Sequence, residues 1–456
     1  MSLARPLTRT RPEDRLAVNG GTPVIPAGYT LMSRWPRIGA EDVDRMVAQL
    51  RSGLLTEMSC RAQLHEFESE LAIFTHTRYA VAFNSGTAAL HCALAGVGVE
   101  AGDDVVLPAL TYIACAAAVI HQNAIPVLAD IDPATYNVTA ETIERAMTAK
   151  TRAIIVVHLH GLPADMADIM ALAERHGVPV IEDFSQAVGA SYRDRPAGGL
   201  GTVGVASLMA GKNLASAGEA GILVTNDLAV RNRASQVKCF GELLDPQGGY
   251  TLQHGTLGYN YRINLLSAAL VSQQLFRLDE FTEARRAGAA QLDARLARLP
   301  GFHPPLAPAD SSSCYHMYRF SFDPEEAGLR ISLDQMREGL KKAFWEEGLP
   351  LVEFQNQPLA GHDLLQRRLG YGRGCPWTCH GRSEMRYDIA EYPGALTAIR
   401  RSLIVGYPSQ GALANPEAVD AYDRVFAKME ADRRGFERFA AGLVAAPPWA
   451  EPARLF

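Results

Sequence analysis

From residue 79 to residue 225 the chain alternates short β-branched runs with stretches of helical periodicity, and this alternation constrains the fold more than any other feature. Candidate strands are residues 79–84, 104–108, 126–131, 152–158, 178–182, 203–208 and 221–224. Most read as continuous apolar runs, as strands do when helices cover both faces of their sheet. Segments 139–149 and 164–176 carry apolar residues at three- and four-residue spacing, with Pro163 close to a helix start. Repeated strand–helix units predict a doubly wound α/β domain on a seven-stranded, mostly parallel sheet.

Helical spacing continues over 264–299 and predicts a long helix, which Pro300-Gly301 and the prolines at 304, 305 and 308 interrupt. That proline-rich segment predicts the passage into a smaller C-terminal α+β domain, with a strand at 317–322 and helices at 333–347 and 416–429. The resulting division is an N-terminal arm over 1–39, a large domain over 40–299 and a small domain over 300–456. Ser33-Arg34-Trp35-Pro36 places the arm where it could fold over a ligand site, and the proline-bearing end, 440–456, reads as a loosely held tail.

The chain has 456 residues, 48% of them apolar, which is ample for a large core. A formal charge of −6 with no basic stripe argues against nucleic acid, and no run of 18 apolar residues predicts a membrane span. The first residues lack the apolar run of a signal peptide, so a cytoplasmic protein is expected. Seven scattered cysteines, odd in number, predict reduced thiols. The three-residue gap in Cys375-Pro376-Trp377-Thr378-Cys379-His380 is permissible for zinc, but no second ligand pair stands nearby and no metal is expected.

In open α/β sheets a ligand lies beyond the carboxyl ends of the strands. Asn84-Ser85-Gly86-Thr87 follows the first candidate strand and opens a helix, so Gly86 and Thr87 are placed to bind a phosphate, although Ser-Gly-Thr is also an ordinary N-cap. Tyr112 follows the second strand, where an aromatic ring could stack on a flat heterocycle or simply pack. Asp183 ends the fifth, with Gln186 three residues on, and Ser207 precedes Lys212 by five positions. An amine for a Schiff base, a carboxylate for a pyridinium nitrogen and hydroxyls for a phosphate together suit pyridoxal phosphate. Lys212 is one of only six lysines. A dinucleotide site fits less well, because Gly198, Gly199 and Gly201 precede a strand instead of following one.

These motifs, with Leu16-Ala17-Val18-Asn19-Gly20-Gly21-Thr22-Pro23, Glu182-Asp183-Phe184-Ser185-Gln186-Ala187, Gly211-Lys212-Asn213-Leu214 and Leu257-Gly258-Tyr259-Asn260-Tyr261-Arg262, resemble the DegT/DnrJ/EryC1/StrS aminotransferase family over about residues 16–430. The resemblance implies the fold type I architecture of aspartate aminotransferase. It makes Lys212 the Schiff-base lysine, Asp183 the partner of the pyridine nitrogen and Gln186 a neighbour of the cofactor ring. Tyr112 would stack on that ring, and Gly86, Thr87 and Ser207 would hold the phosphate. Asn260 would reach the phosphate from the other subunit, which implies a homodimer with shared active sites. The implied activity is transfer of an amino group from L-glutamate or L-glutamine to a keto sugar or keto cyclitol, in the biosynthesis of an amino-sugar-containing natural product. Related enzymes that lack the lysine are dehydratases, and a PLP lyase or a silent PLP-binding regulator is the alternative. The arginines of 367–386, Tyr315-His316-Met317-Tyr318, His158 and His160 are further candidate polar contacts, with solvated or hydrogen-bonded structural roles as the competing reading.

Overall fold

A computed structural model describes residues 11–29, 31, 35–245, 249–306, 308–407 and 411–450. Ser33, Arg34 and residues 451–456 lie outside them. The seven expected strands form, as β1 (Tyr79–Phe83), β2 (Asp104–Pro108), β3 (Ile125–Ala129), β4 (Thr151–Val157), β5 (Val180–Asp183), β6 (Val203–Ser207) and β7 (Gly221–Thr225). They lie in the order β1-β7-β6-β5-β4-β2-β3 in one sheet. Only β7 runs antiparallel, to both β1 and β6. Successive strand residues point to opposite faces. Val81, Phe83, Val205 and Leu223 accordingly fill one core, while Ala80, Ala82, Ala206 and Ile222 fill another.

One long helix was expected over 264–299, but two are found, Leu265–Phe276 and Leu278–Leu296, separated at Arg277 (φ −106°, ψ 2°). The break follows from tertiary ties that periodicity does not register. The Arg277 guanidinium lies 4.7 Å from the centre of the Phe281 ring and reaches Asp42 at 3.4 Å.

A third core is built on a four-stranded antiparallel sheet, β8 (Phe302–His303), β9 (Arg319–Phe322), β10 (Leu351–Val352) and β11 (Ser402–Val405), in the order β8-β9-β11-β10. Phe320 of β9 packs there against Phe426 of helix Pro416–Ala431, which in turn meets Phe344 of helix Leu333–Glu346. Leu16 and Ile25 of the N-terminal segment join this core. Buried Glu347 accepts hydrogen bonds from the N–H groups of Ala17 and Val24, each at 2.8 Å, and pairs with Lys428 at 2.7 Å. Toward the other terminus, helix Arg433–Ala441 buries Ala440 and Trp449 packs against the large core, so residues 440–450 are held more firmly than their prolines suggested.

The cysteine expectation needs correction. Cys375 and Cys379 form a disulfide, the turn between them bringing their Cα atoms to 5.2 Å, a separation that suits the bond. The pair is therefore not available as metal thiolates, and the other five cysteines are free. No helix among the described residues is long and apolar enough to cross a membrane.

Candidate active site

The polar residues expected at strand ends do meet there. Ser85 caps helix α1 (Gly86–Gly96) by accepting from the Ala88 N–H at 3.2 Å. The first N–H groups of that helix, those of Gly86 and Thr87, have no helical acceptor. A Cβ on Gly86 would lie 2.6 Å from Cβ of Ser207. Only glycine lets the helix N-terminus approach the end of β6 so closely, and the free N–H groups of Gly86 and Thr87 thus open beside Ser207. Ser207 is fixed in turn by its N–H, which donates to Ser185 Oγ at 2.7 Å.

Asp183 is buried at the end of β5. Its Oδ1 accepts from the Ser185 N–H at 2.9 Å, and the Cys115 thiol lies 3.6 Å from Oδ2. Burial first, then the Asp183 charge, pushes the Cys115 thiol well up, so it stays protonated and serves as a weak donor. Gln186 is buried, and its Oε1 accepts from the His160 N–H at 2.7 Å. Tyr112, 61% exposed, leads into helix Ala114–His121 with its ring free of the core.

Lys212 lies in the loop between β6 and β7. Ala210 N–H to Gly218 carbonyl and Ser216 N–H to Leu208 carbonyl bonds, each at 2.9 Å, close that loop. The lysine carbonyl accepts from Trp35 Nε1 at 2.8 Å. Arg285 stacks over the opposite part of the same indole, 4.2 Å from its centre, so Trp35 of the arm underlies the loop. Burial lowers the pKa of the Lys212 amine, against the attraction of Asp183 and then of Cys115 and Glu219. A half-buried amine that feels the Asp183 carboxylate, at the same sheet end as a helix N-terminus with free N–H groups, fits pyridoxal phosphate in charge.

Asn260 is exposed and sits next to the N-terminus of α1 in its own chain, its carbonyl 3.5 Å from Asn84 Nδ2. His158 takes the structural role that competed for it: Nε2 meets Glu182 at 2.9 Å while Nδ1 accepts from the Ala164 N–H at 3.1 Å. The glycine turn closes on the same Glu182. The N–H groups of Gly198, Leu200 and Gly201 donate to it at 2.5, 2.8 and 2.9 Å, so the turn binds a carboxylate of its own chain. The arginine-dense segment is largely engaged internally: Arg382 reaches Asp104 at 2.7 Å, Arg368 donates to the Met385 carbonyl at 2.9 Å and Arg386 to that of Ser383 at 2.9 Å.

Cys115, Asn213 and Cys314 were not singled out from sequence. Asn213 lies inside a quoted motif, but the partners that define all three residues are distant in sequence, Asp183 for Cys115 and each other for Asn213 and Cys314.

Residues 36–374 match the sequence profile of the DegT/DnrJ/EryC1/StrS aminotransferase family. The chain is 37% identical over 324 residues to the L-glutamine:2-deoxy-scyllo-inosose aminotransferase of Micromonospora echinospora, covering 69% of this chain and 76% of that one. It is 36% identical over 317 residues to the L-glutamine:scyllo-inosose aminotransferase of Streptomyces griseus, covering 67% and 74%. Among solved structures, the aminotransferase from Psychrobacter cryohalolentis superposes with a TM-score of 0.74 at 28% identity, over 88% of this chain and all (100%) of that one.

Proposed function

The chain belongs to the DegT/DnrJ/EryC1/StrS aminotransferase family, and from that premise we propose that it moves an amino group from L-glutamine or L-glutamate to a keto cyclitol, with Lys212 and Asp183 at the reacting centre. Enzymes of this family work with pyridoxal phosphate. When bound, that group supplies an aldehyde that condenses with amines and a ring that takes up the electron pair released at the donor carbon.

In this reading Gly86, Thr87 and Ser207 hold its phosphate, Tyr112 covers its ring and Gln186 lies at the ring edge. Asp183 keeps a proton on the ring nitrogen, because a carboxylate beside a pyridinium favours the charged form. Lys212, which has no ion pair among the described residues and whose amine pKa is lowered by burial, takes a proton from the donor α-carbon and returns it. The single observation that carries the proposal is the half-buried Lys212 amine within the electrostatic reach of Asp183, at the sheet end where Gly86 meets Ser207.

Two cyclitol-specific relatives that name L-glutamine support the substrate class. So does the internal engagement of the arginines around 367–386, which leaves that segment poorly suited to a nucleotide diphosphate. The arrangement proposed around this site is an arm over 1–39, a cofactor-binding domain over 40–299 and a small domain over 300–456, in a cytoplasmic homodimer whose partner supplies Asn260. Exposed apolar residues on the hairpin that leads into Asn260 support the dimer.

The test is reconstitution with pyridoxal phosphate, borohydride reduction and peptide mapping. The label is expected on the peptide that carries Lys212. Lys212→Ala should abolish it and lower the rate on the order of 10²-fold or more. Label on any other of the six lysines would overturn the assignment.

A further inference from the structure

The segment Cys375-Pro376-Trp377-Thr378-Cys379-His380 has no part in the site around Lys212. It lies at the opposite end of the sheet, where β2 and β4 begin. The disulfide closes its turn, Trp377 is fully buried, and Arg382 just beyond it reaches Asp104, the first residue of β2, at 2.7 Å. His380 is thereby held against Gly102. A Cβ on that glycine would lie 2.9 Å from His380 Nδ1, and its φ of +86° is one that other residues rarely adopt. His380 Nε2 is sealed and has no hydrogen-bond partner among the described residues, so Nδ1 is the ring nitrogen a ligand can meet. With Lys150, Thr151 and Arg152, these two residues line a cavity of about 540 Å³. The five residues of β2 separate it from the strand ends near Lys212, a span of about 15 Å.

The donors of this cavity are oriented by the backbone around them. Arg152 Nε donates to the Gly98 carbonyl at 3.2 Å, which aims the guanidinium and leaves its two terminal nitrogens without a partner among the described residues. Lys150 sits in a turn: its N–H donates to Thr148 Oγ1 at 3.0 Å, its carbonyl accepts from the Asp104 N–H at 3.0 Å, and its ammonium has no ion pair among the described residues. Thr151 Oγ1 accepts from the Thr148 N–H at 2.8 Å and keeps its own proton to donate. One carboxylate, that of Asp103, also lines the cavity, and its Oδ2 is taken by the Glu100 N–H at 2.8 Å. We propose that this cavity is a second ligand site, for a phosphate group that is either free or carried on a small polyol. The terminal nitrogens of Arg152 match two phosphate oxygens at once, Lys150 adds a point charge, and Thr151 and His380 supply neutral donors. The cavity exceeds a phosphate ion in size, which leaves room for an attached polyol. This site is independent of the one around Lys212.

Calorimetric titration of the pyridoxal-phosphate-loaded enzyme with inorganic phosphate, and separately with glucose 6-phosphate, tests this. Loading fills the phosphate position at Gly86, so that binding there does not contribute. One anion is expected per chain. Lys150→Ala and Arg152→Ala should each weaken it by about 10-fold or more, and His380→Ala by about threefold. Arg152→Lys, which keeps the charge but not the planar fork, is expected to fall between wild type and Arg152→Ala. Lys150→Ala combined with Arg152→Glu should abolish binding, with the melting temperature and the transamination rate close to those of wild type. Tighter binding of glucose 6-phosphate assigns the cavity to a phosphorylated polyol, and equal binding assigns it to the free anion. Wild-type enzyme that takes up neither compound at about 10 mM would overturn the proposal. So would binding that the double variant leaves unchanged, since the anion would then lie elsewhere.

Discussion

Asp183 concentrates the chemistry of the site in one side chain. Its carboxylate has one oxygen on the Ser185 N–H and the other against a thiol, a weak donor that leaves most of the negative charge for a cationic ring nitrogen. Asp183→Asn keeps the shape and removes that charge. We expect kcat to fall on the order of 10²-fold or more with the melting temperature little changed, as steady-state kinetics and thermal unfolding would show. A variant that retained full kcat would remove Asp183 from the mechanism. The positions of Lys212, Asp183 and Ser207 relative to their strands were legible in the sequence, because each stands at a fixed offset from an unmistakable apolar run. Cys115 and Asn213 were not, because what defines them is a neighbour 68 or 101 residues away.

At the level of elements, the turn before β6 and the end of β5 are joined by a single buried carboxylate. Burial would raise the Glu182 carboxyl, but His158 and the N–H groups of Gly198 and Gly201 outweigh it and hold the pKa below the usual range. A depressed folded pKa contributes stability that is present above the unfolded value of about 4.3 and is lost as pH falls through the folded one. Glu182→Gln cannot supply four acceptor positions and should destabilise the protein by about 3 kcal/mol at pH 7. Urea unfolding is expected to show this gap narrowing as pH drops below about 4. A gap that stays constant with pH would show that the charge of Glu182 is not what closes the turn. The glycines were visible in the sequence, and their position before a strand spoke against a nucleotide site. The anion they enclose could not be read, since nothing local links 182 to 198–201.

For the whole molecule, the hairpin Glu242–Leu244 and Tyr250–His254 carries Leu252, 95% exposed, and Leu257 follows it at 76%. Apolar side chains this open, on a segment that ends at Asn260 beside the N-terminus of α1, are what a self-complementary contact would cover. Leu252→Asp combined with Leu257→Asp should convert a species of twice the 49.4 kDa chain mass into one of 49.4 kDa in sedimentation. It should also cost most of the activity, because Asn260 would no longer reach the partner's phosphate. Wild-type protein that sediments as a monomer with full activity would refute the shared site.

Periodicity along the chain by itself determined the seven strands, the wound sheet and the strand ends at which Gly86, Tyr112, Asp183 and Ser207 stand, because continuous apolar runs between helical stretches are a local property that burial imposes directly. It did not determine the break at Arg277, the Cys375–Cys379 bond or the seat of the arm on Glu347. Nor did it show that Asn213 ties Cys314 to His316. Each of these is set by hydrogen bonds, ring contacts or covalent closure that exist only once the chain has folded back on itself.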